Sequence, residues 1–183
     1  MAEVAAGARV CARLRCCVDR VGCVEQDWAL GDGKEGRDLM LALASSTRLR
    51  QLALCNTNIT TVQTPKLLGA ALPSLTALEA LDLSCNRLGA AGARSLAAGL
   101  VRLPALTELN LRATALHDAG ALELARALVS MASLKSLILR NTQLHVKGAS
   151  VLAAALPSLT ALEALDLGNN RRVEQNFASP PRA

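Results

Sequence analysis

The placing of leucines constrains this chain more than any other feature of it. Residues 78 to 88 read LEALDLSCNRL, so that Leu78, Leu81, Leu83 and Leu88 stand with Asn86 in the pattern L-x-x-L-x-L-x-x-N-x-L. The pattern also starts at Leu49 (with Leu52, Leu54 and Ile59), at Leu106 (Leu109, Leu111, Leu116), at Leu134 (Leu137, Leu139, Leu144) and at Leu162 (Leu165, Leu167). The starts are 29, 28, 28 and 28 residues apart. A fixed period of that length is the mark of one supersecondary unit copied and stacked, because a single unit cannot bury its own apolar face. Within each copy the alternation around the second and third leucines predicts a strand.

The second half of each unit changes period. Ala93, Leu96, Ala97 and Leu100 recur as Ala121, Leu124, Ala125 and Leu128, and as Ala149, Leu152, Ala153 and Leu156. Offsets of three, four and seven put those side chains on one face of a helix. Gly92, Gly120 and Gly148, one residue ahead of each run, predict the turn from strand to helix, and Pro73, Pro104 and Pro157 predict helix ends. The unit is therefore strand, turn, helix and return loop. Stacked units form an α/β solenoid, a right-handed horseshoe segment with a parallel sheet on the concave side and helices on the convex side.

With 28- and 29-residue units and a full helix in each, residues 49 to 170 resemble the ribonuclease-inhibitor-like class of leucine-rich repeats. The resemblance covers about two thirds of the chain and departs from the class at one position. Where the class has Asn or Cys at the ninth place of the motif, Thr57, Thr114 and Thr142 stand in three copies, and only Asn86 and Asn170 conform. A hydroxyl has one donor against the two of an amide, so the ladder of hydrogen bonds beneath the turn should reach less far and hold less strongly. The resemblance implies a non-catalytic scaffold that binds protein. It offers as alternatives a regulator of an enzyme or small GTPase, since the class includes ribonuclease inhibitors and activators of the Ran GTPase, or a truncated array without a settled partner. The chain lacks the acidic, aromatic-rich surface of the first and the acidic tail of the second, and no nucleotide-binding domain of the related immune receptors is present in it.

Outside the repeats the pattern thins. Val4, Ala8, Cys11 and Ala12 predict a short helix over residues 1 to 17, and Val18, Val21, Cys23, Gln26 and Trp28 thread as a degenerate first repeat or cap over 18 to 48. Residues 171 to 183, RRVEQNFASPPRA, read as an irregular tail. The block AALPSLTALEALDL stands at both 70 to 83 and 154 to 167. Surface positions match there as well as buried ones, which points to recent copying. A last strand followed by no helix pattern predicts a ragged end or a piece of a longer array, and self-association through uncapped faces.

Composition narrows the functional classes. Apolar residues are 51% of the chain and aromatic ones 1%, which argues against disorder. A formal charge of +5, spread without a basic block, gives no support for nucleic-acid binding. Arg9, Arg13 and Arg15 interrupt the apolar run of a signal peptide, although an acid-poor, Arg-containing start also fits a mitochondrial presequence. No apolar stretch reaches membrane-spanning length, and the expected location is the cytoplasm or nucleus. Cys11, Cys16, Cys17, Cys23, Cys55 and Cys85 lack the paired spacing of a zinc site and read as reduced thiols, with acylation of Cys16 and Cys17 a remote alternative.

The surface columns follow from alternation. With the fourth and sixth motif positions inward, the third, fifth and seventh face the concave side: Gln51, Ala80, Glu108, Ser136 and Ala164; Ala53, Asp82, Asn110, Ile138 and Asp166; Cys55, Ser84, Arg112, Arg140 and Gly168. Neighbouring strands lie about 4.8 Å apart, so Arg112 and Arg140 should stack as like charges with Glu108 nearby. That face reads either as a solvated polar surface or as the dock for an acidic protein segment, with Glu108, Asn110, Ser136, Ile138, Asp82 and Asp166 around the arginines. His117 and His145 fall at matching places in adjacent units, with Asp118 beside the first. Two ligands are too few for a metal, and repeat copying explains the pair. GDGK at 31 to 34 lacks phosphate-loop spacing, and no nucleophile or paired-carboxylate motif occurs, so neither an enzyme nor a cofactor is expected.

Overall fold

The computed structural model describes residue 41 and residues 43 to 59 and 63 to 170. The helix expected over 1 to 17, most of the degenerate unit over 18 to 48, the GDGK turn and the 171 to 183 tail lie outside the described residues. Five strands, β1 (Gln51–Ala53), β2 (Ala80–Asp82), β3 (Glu108–Asn110), β4 (Ser136–Ile138) and β5 (Ala164–Asp166), form one parallel sheet in chain order. Among the described residues, helices alternate with them: α1 (Gln63–Ala71), α2 (Gly89–Leu100), α3 (His117–Leu128) and α4 (Val146–Ala155). Each strand is only three residues long, so the sheet owes little to strand length and much to the leucines that it aligns.

Register places like on like. Leu52, Leu81, Leu109, Leu137 and Leu165 are successive partners across the sheet. The sixth-position leucines extend the ladder, Leu54 donating its N–H to Asp82 at 2.8 Å and Leu83 to Asn110 at 2.9 Å. Each leucine fully removed from water contributes about 1.5–3 kcal/mol. Facing them, Ala93, Leu96 and Leu100 of α2 and Ala121, Leu124 and Leu128 of α3 are buried, as their spacing predicts. In α4 the same stripe is partly open: Leu152 is buried, but Ala153 is exposed and Leu156 half-buried. No helix of the described residues is long and apolar enough to cross a membrane.

The glycines do other work than the spacing suggested. α2 and α3 begin three residues before Gly92 and Gly120, and α4 begins before Gly148, so none of the three makes the turn. A Cβ on Gly92 would lie 3.3 Å from Pro65, and one on Gly120 3.3 Å from Ala93, which makes them close-packing positions between units. The turns instead rest on the eighth motif position, left-handed in every copy: Asn56, Cys85, Ala113, Asn141 and Asn169 have φ of 52° to 57°. Asn accepts that conformation at least cost among residues with a side chain, and it holds three of the five places.

The ninth position decides how units are tied. Asn86 reaches back to the preceding unit, donating Nδ2 to the Leu54 carbonyl at 2.7 Å and accepting at Oδ1 from Thr57 N–H at 3.2 Å and Ile59 N–H at 2.9 Å. It also donates to Leu83 of its own unit at 2.9 Å. Asn170 repeats this with Leu139 at 2.8 Å, Thr142 at 3.0 Å, Leu144 at 3.2 Å and Leu167 at 2.7 Å. The Thr114 hydroxyl donates within its own unit, to Leu111 at 2.6 Å, and Thr142 donates to Leu139 of its own unit at 2.7 Å and to Asn170 Oδ1 of the following one at 3.3 Å, neither reaching back to the unit before. The shorter reach expected of Thr is therefore present. The main chain closes those junctions instead, Gly89 N–H donating to the Thr114 carbonyl at 3.3 Å and His117 N–H to Thr142 at 3.1 Å. Gly89 and His117 take φ of 60° and 55° to aim those bonds.

Candidate protein-interaction surface

Strand alternation puts the expected columns side by side on the concave face. Ala80, Glu108, Ser136 and Ala164 are successive partners in one column, and Asp82, Asn110, Ile138 and Asp166 in the next. Glu108 and Arg112 are exposed, while Asp82, Asn110, Ser136, Ile138, Arg140 and Asp166 are half-buried. All eight expected residues thus lie in or beside three adjoining columns on one surface.

Their partners are specific. Asp82 accepts Ser84 N–H at 2.8 Å through one oxygen and Asn110 Nδ2 at 3.0 Å through the other. Asn110 in turn accepts Arg112 N–H at 3.1 Å, so a carboxylate of the adjacent unit steadies the backbone from which Arg112 projects. Asp166 accepts Gly168 N–H at 2.8 Å and lies 3.9 Å from Arg140 Nη1. Arg140 crosses above Gly168, where a Cβ would stand 3.0 Å from Nη1.

Arg112 and Arg140 stand on adjacent units with different surroundings. The backbones are adjacent, Ala113 N–H donating to the Arg140 carbonyl at 2.9 Å, but the Arg140 side chain turns toward Asp166, because the neighbouring carboxylate attracts it and Gly168 leaves room. Among the described residues no carboxylate pairs with Arg112, and none of them pairs with Glu108.

His117 and His145 make separate contacts. Asp118 holds His145, accepting its N–H at 2.8 Å with its second oxygen 3.8 Å from Nδ1, while His117 serves the main-chain junction to Thr142. Gly148 leaves space for that carboxylate, since a Cβ there would lie 2.5 Å from Asp118 Oδ1. Among the described residues no group of three His, Cys, Asp or Glu is placed to hold a metal ion.

Two features escaped sequence reasoning. At the second motif position Arg50 pairs with Glu79, and Lys135 with Glu163 at 3.2 Å, tying units one above the other. Opposite charges at the same motif place in consecutive units were the available signal. On the helical side Glu123 accepts from Arg94 Nε and Nη2 at 3.1 and 3.0 Å and from Arg126 at 3.1 Å. The hydrogen bond from Arg94, with the field of both guanidiniums, holds the Glu123 carboxyl below its ordinary value of 4.5 against a smaller upward push from desolvation.

A family model described as "Leucine Rich repeat" matches residues 74 to 97, from the loop before β2 into α2. Residues 74 to 97 are a leucine-rich repeat. The match falls on one unit, and the register of five strands extends the assignment to its neighbours. Among solved structures the leucine-rich-repeat array is similar to leiomodin-1 actin-binding site 2, at 20% identity and a TM-score of 0.63, covering 78% of this chain and 86% of that one. It is also similar to the C-terminal domain of tropomodulin from Caenorhabditis elegans, at 17% identity and a TM-score of 0.61, covering 75% and 93%. At those identities the likeness is one of fold. No curated protein matches the sequence.

Proposed function

We propose that this leucine-rich-repeat array is a non-catalytic protein-interaction module whose concave sheet receives an acidic segment of its partner at Arg112 and Arg140. The observation that carries the reading is Arg112 itself. Its guanidinium is exposed and pairs with no carboxylate among the described residues, while Asp82 and Asn110 hold its backbone in place. A rigidly mounted arginine loses little freedom on meeting a carboxylate and can bind it through two parallel bonds. Arg140 sits one unit away with a long, partly exposed contact to Asp166, a partner that an incoming carboxylate could replace. Glu108 and Ser136 flank the pair and would set register, and Ile138 supplies apolar contact between them.

The test is affinity capture from cell lysate, scored by mass spectrometry, with the native chain and with Arg112→Glu/Arg140→Glu. Loss of specific captured proteins in the variant, with an unchanged circular dichroism spectrum, is expected; an identical capture profile overturns the reading. Actin as the partner is a second reading, favoured by the fold likeness to leiomodin-1 actin-binding site 2. Co-sedimentation with actin filaments tests it, and a chain that stays in the supernatant at tens of micromolar actin removes it.

A further inference from the structure

The repeated block supplies an internal comparison. Residues 70 to 83 and 154 to 167 are the same sequence, so they have the same intrinsic preferences, yet their surroundings differ. In the first copy Leu81 is 1% exposed, under the unit that carries β3; in the second its twin Leu165 is 37% exposed. Leu78 and Leu83 are buried, whereas Leu162 and Leu167 are only half-buried. The Glu79 carbonyl accepts Thr107 N–H at 2.8 Å and Glu108 N–H at 3.0 Å, and Asp82 accepts Asn110 Nδ2. Among the described residues β5 pairs with β4 alone, so its other edge offers the same acceptors and donors unpaired. The edge has no proline or lysine to discourage pairing.

From this we infer that a second copy of this chain covers the face, through a two-fold pairing of β5 with β5 that continues the sheet across the dimer. The opposite end of the array argues for this arrangement over a head-to-tail one. There Leu43, Leu52, Leu54 and Ile59 are 0% to 3% exposed, so among the described residues that end presents no matching open leucine row. A two-fold axis uses the β5 face twice and closes at two. Antiparallel pairing about Leu165 sets that residue against itself on the core side, joining the two leucine rows. Asp166 then stands opposite Ala164 of the second copy, and no two carboxylates face each other. The acidic side chains near the seam already lie against cations of the preceding unit, Glu163 beside Lys135 and Asp166 beside Arg140.

Light scattering on the full chain, from a few to a few hundred micromolar, tests the inference. The mass should rise from 19.1 kDa to twice that value and stop. Leu165→Arg should weaken association at least tenfold while its circular dichroism and melting stay those of the native chain. Leu165→Ser, a milder change at an already exposed position, should show an intermediate effect. Arg112→Glu, which disables the proposed partner site, should leave the dimer intact. A monomer at every concentration, a mass that keeps growing past two copies, or a dimer untouched by Leu165→Arg would each overturn it.

Discussion

Asn86 does with one side chain what Thr114 and Thr142 leave to the main chain. Its amide satisfies two N–H groups and one carbonyl of the unit before it, all buried. Thr in its place would keep only the bond within its own unit, as Thr114 does. Because each lost bond also strands a buried group, Asn86→Thr should cost about 3 kcal/mol in urea unfolding, and Thr114→Val about 1 kcal/mol. The motif showed which residues stand at the ninth position. It did not show that the Asn bonds run backward, nor that Gly89 and His117 turn left-handed where the following unit has Thr, because those depend on the separation of two main chains brought together by stacking.

Helix α2 shows how much of an element's setting is absent from its own residues. The apolar stripe of Ala93, Leu96 and Leu100 is plain in the sequence and buried in the fold. Gly99 is a poor helix former by intrinsic propensity, yet a Cβ on it would stand 2.6 Å from the Gly69 carbonyl and 3.0 Å from Leu72, and one on Gly69 would stand 2.1 Å from the Ser95 carbonyl. Helices α1 and α2 touch backbone to backbone at these two residues. Gly99→Ala should therefore lose about 2–3 kcal/mol by forcing the helices apart, against the small gain in helix propensity expected of an isolated helix, and thermal melting would show the sign. Across α2 and α3, Glu123 is held ionised by Arg94 and Arg126. A carboxyl whose folded value is lowered adds stability above its ordinary value of 4.5, and that stability disappears as pH falls through the lowered value. The stability difference between the native chain and Glu123→Gln should accordingly be constant near neutral pH and shrink below 4.5.

At the scale of the whole molecule, a solenoid holds each unit through its neighbours only, so opening should start where a neighbour is missing. In dilute solution, hydrogen exchange should be faster at β5 and α4 than at β3 and α3, although the block containing β5 is identical to one that contains the well-covered β2; equal protection of β2 and β5 would contradict this. The leucine period alone determined the unit, the parallel register, the inward rows and the membership of the three concave columns. Side-chain alternation and a constant repeat length carry that information along the chain. Tertiary structure alone decided that Arg140 leans on Asp166 while Arg112 meets no carboxylate among the described residues, that Asp118 holds His145, and that Leu81 of one identical block is covered while Leu165 of the other is exposed. Those outcomes rest on distances between units and on what lies beyond a unit, and a unit's own residues encode neither.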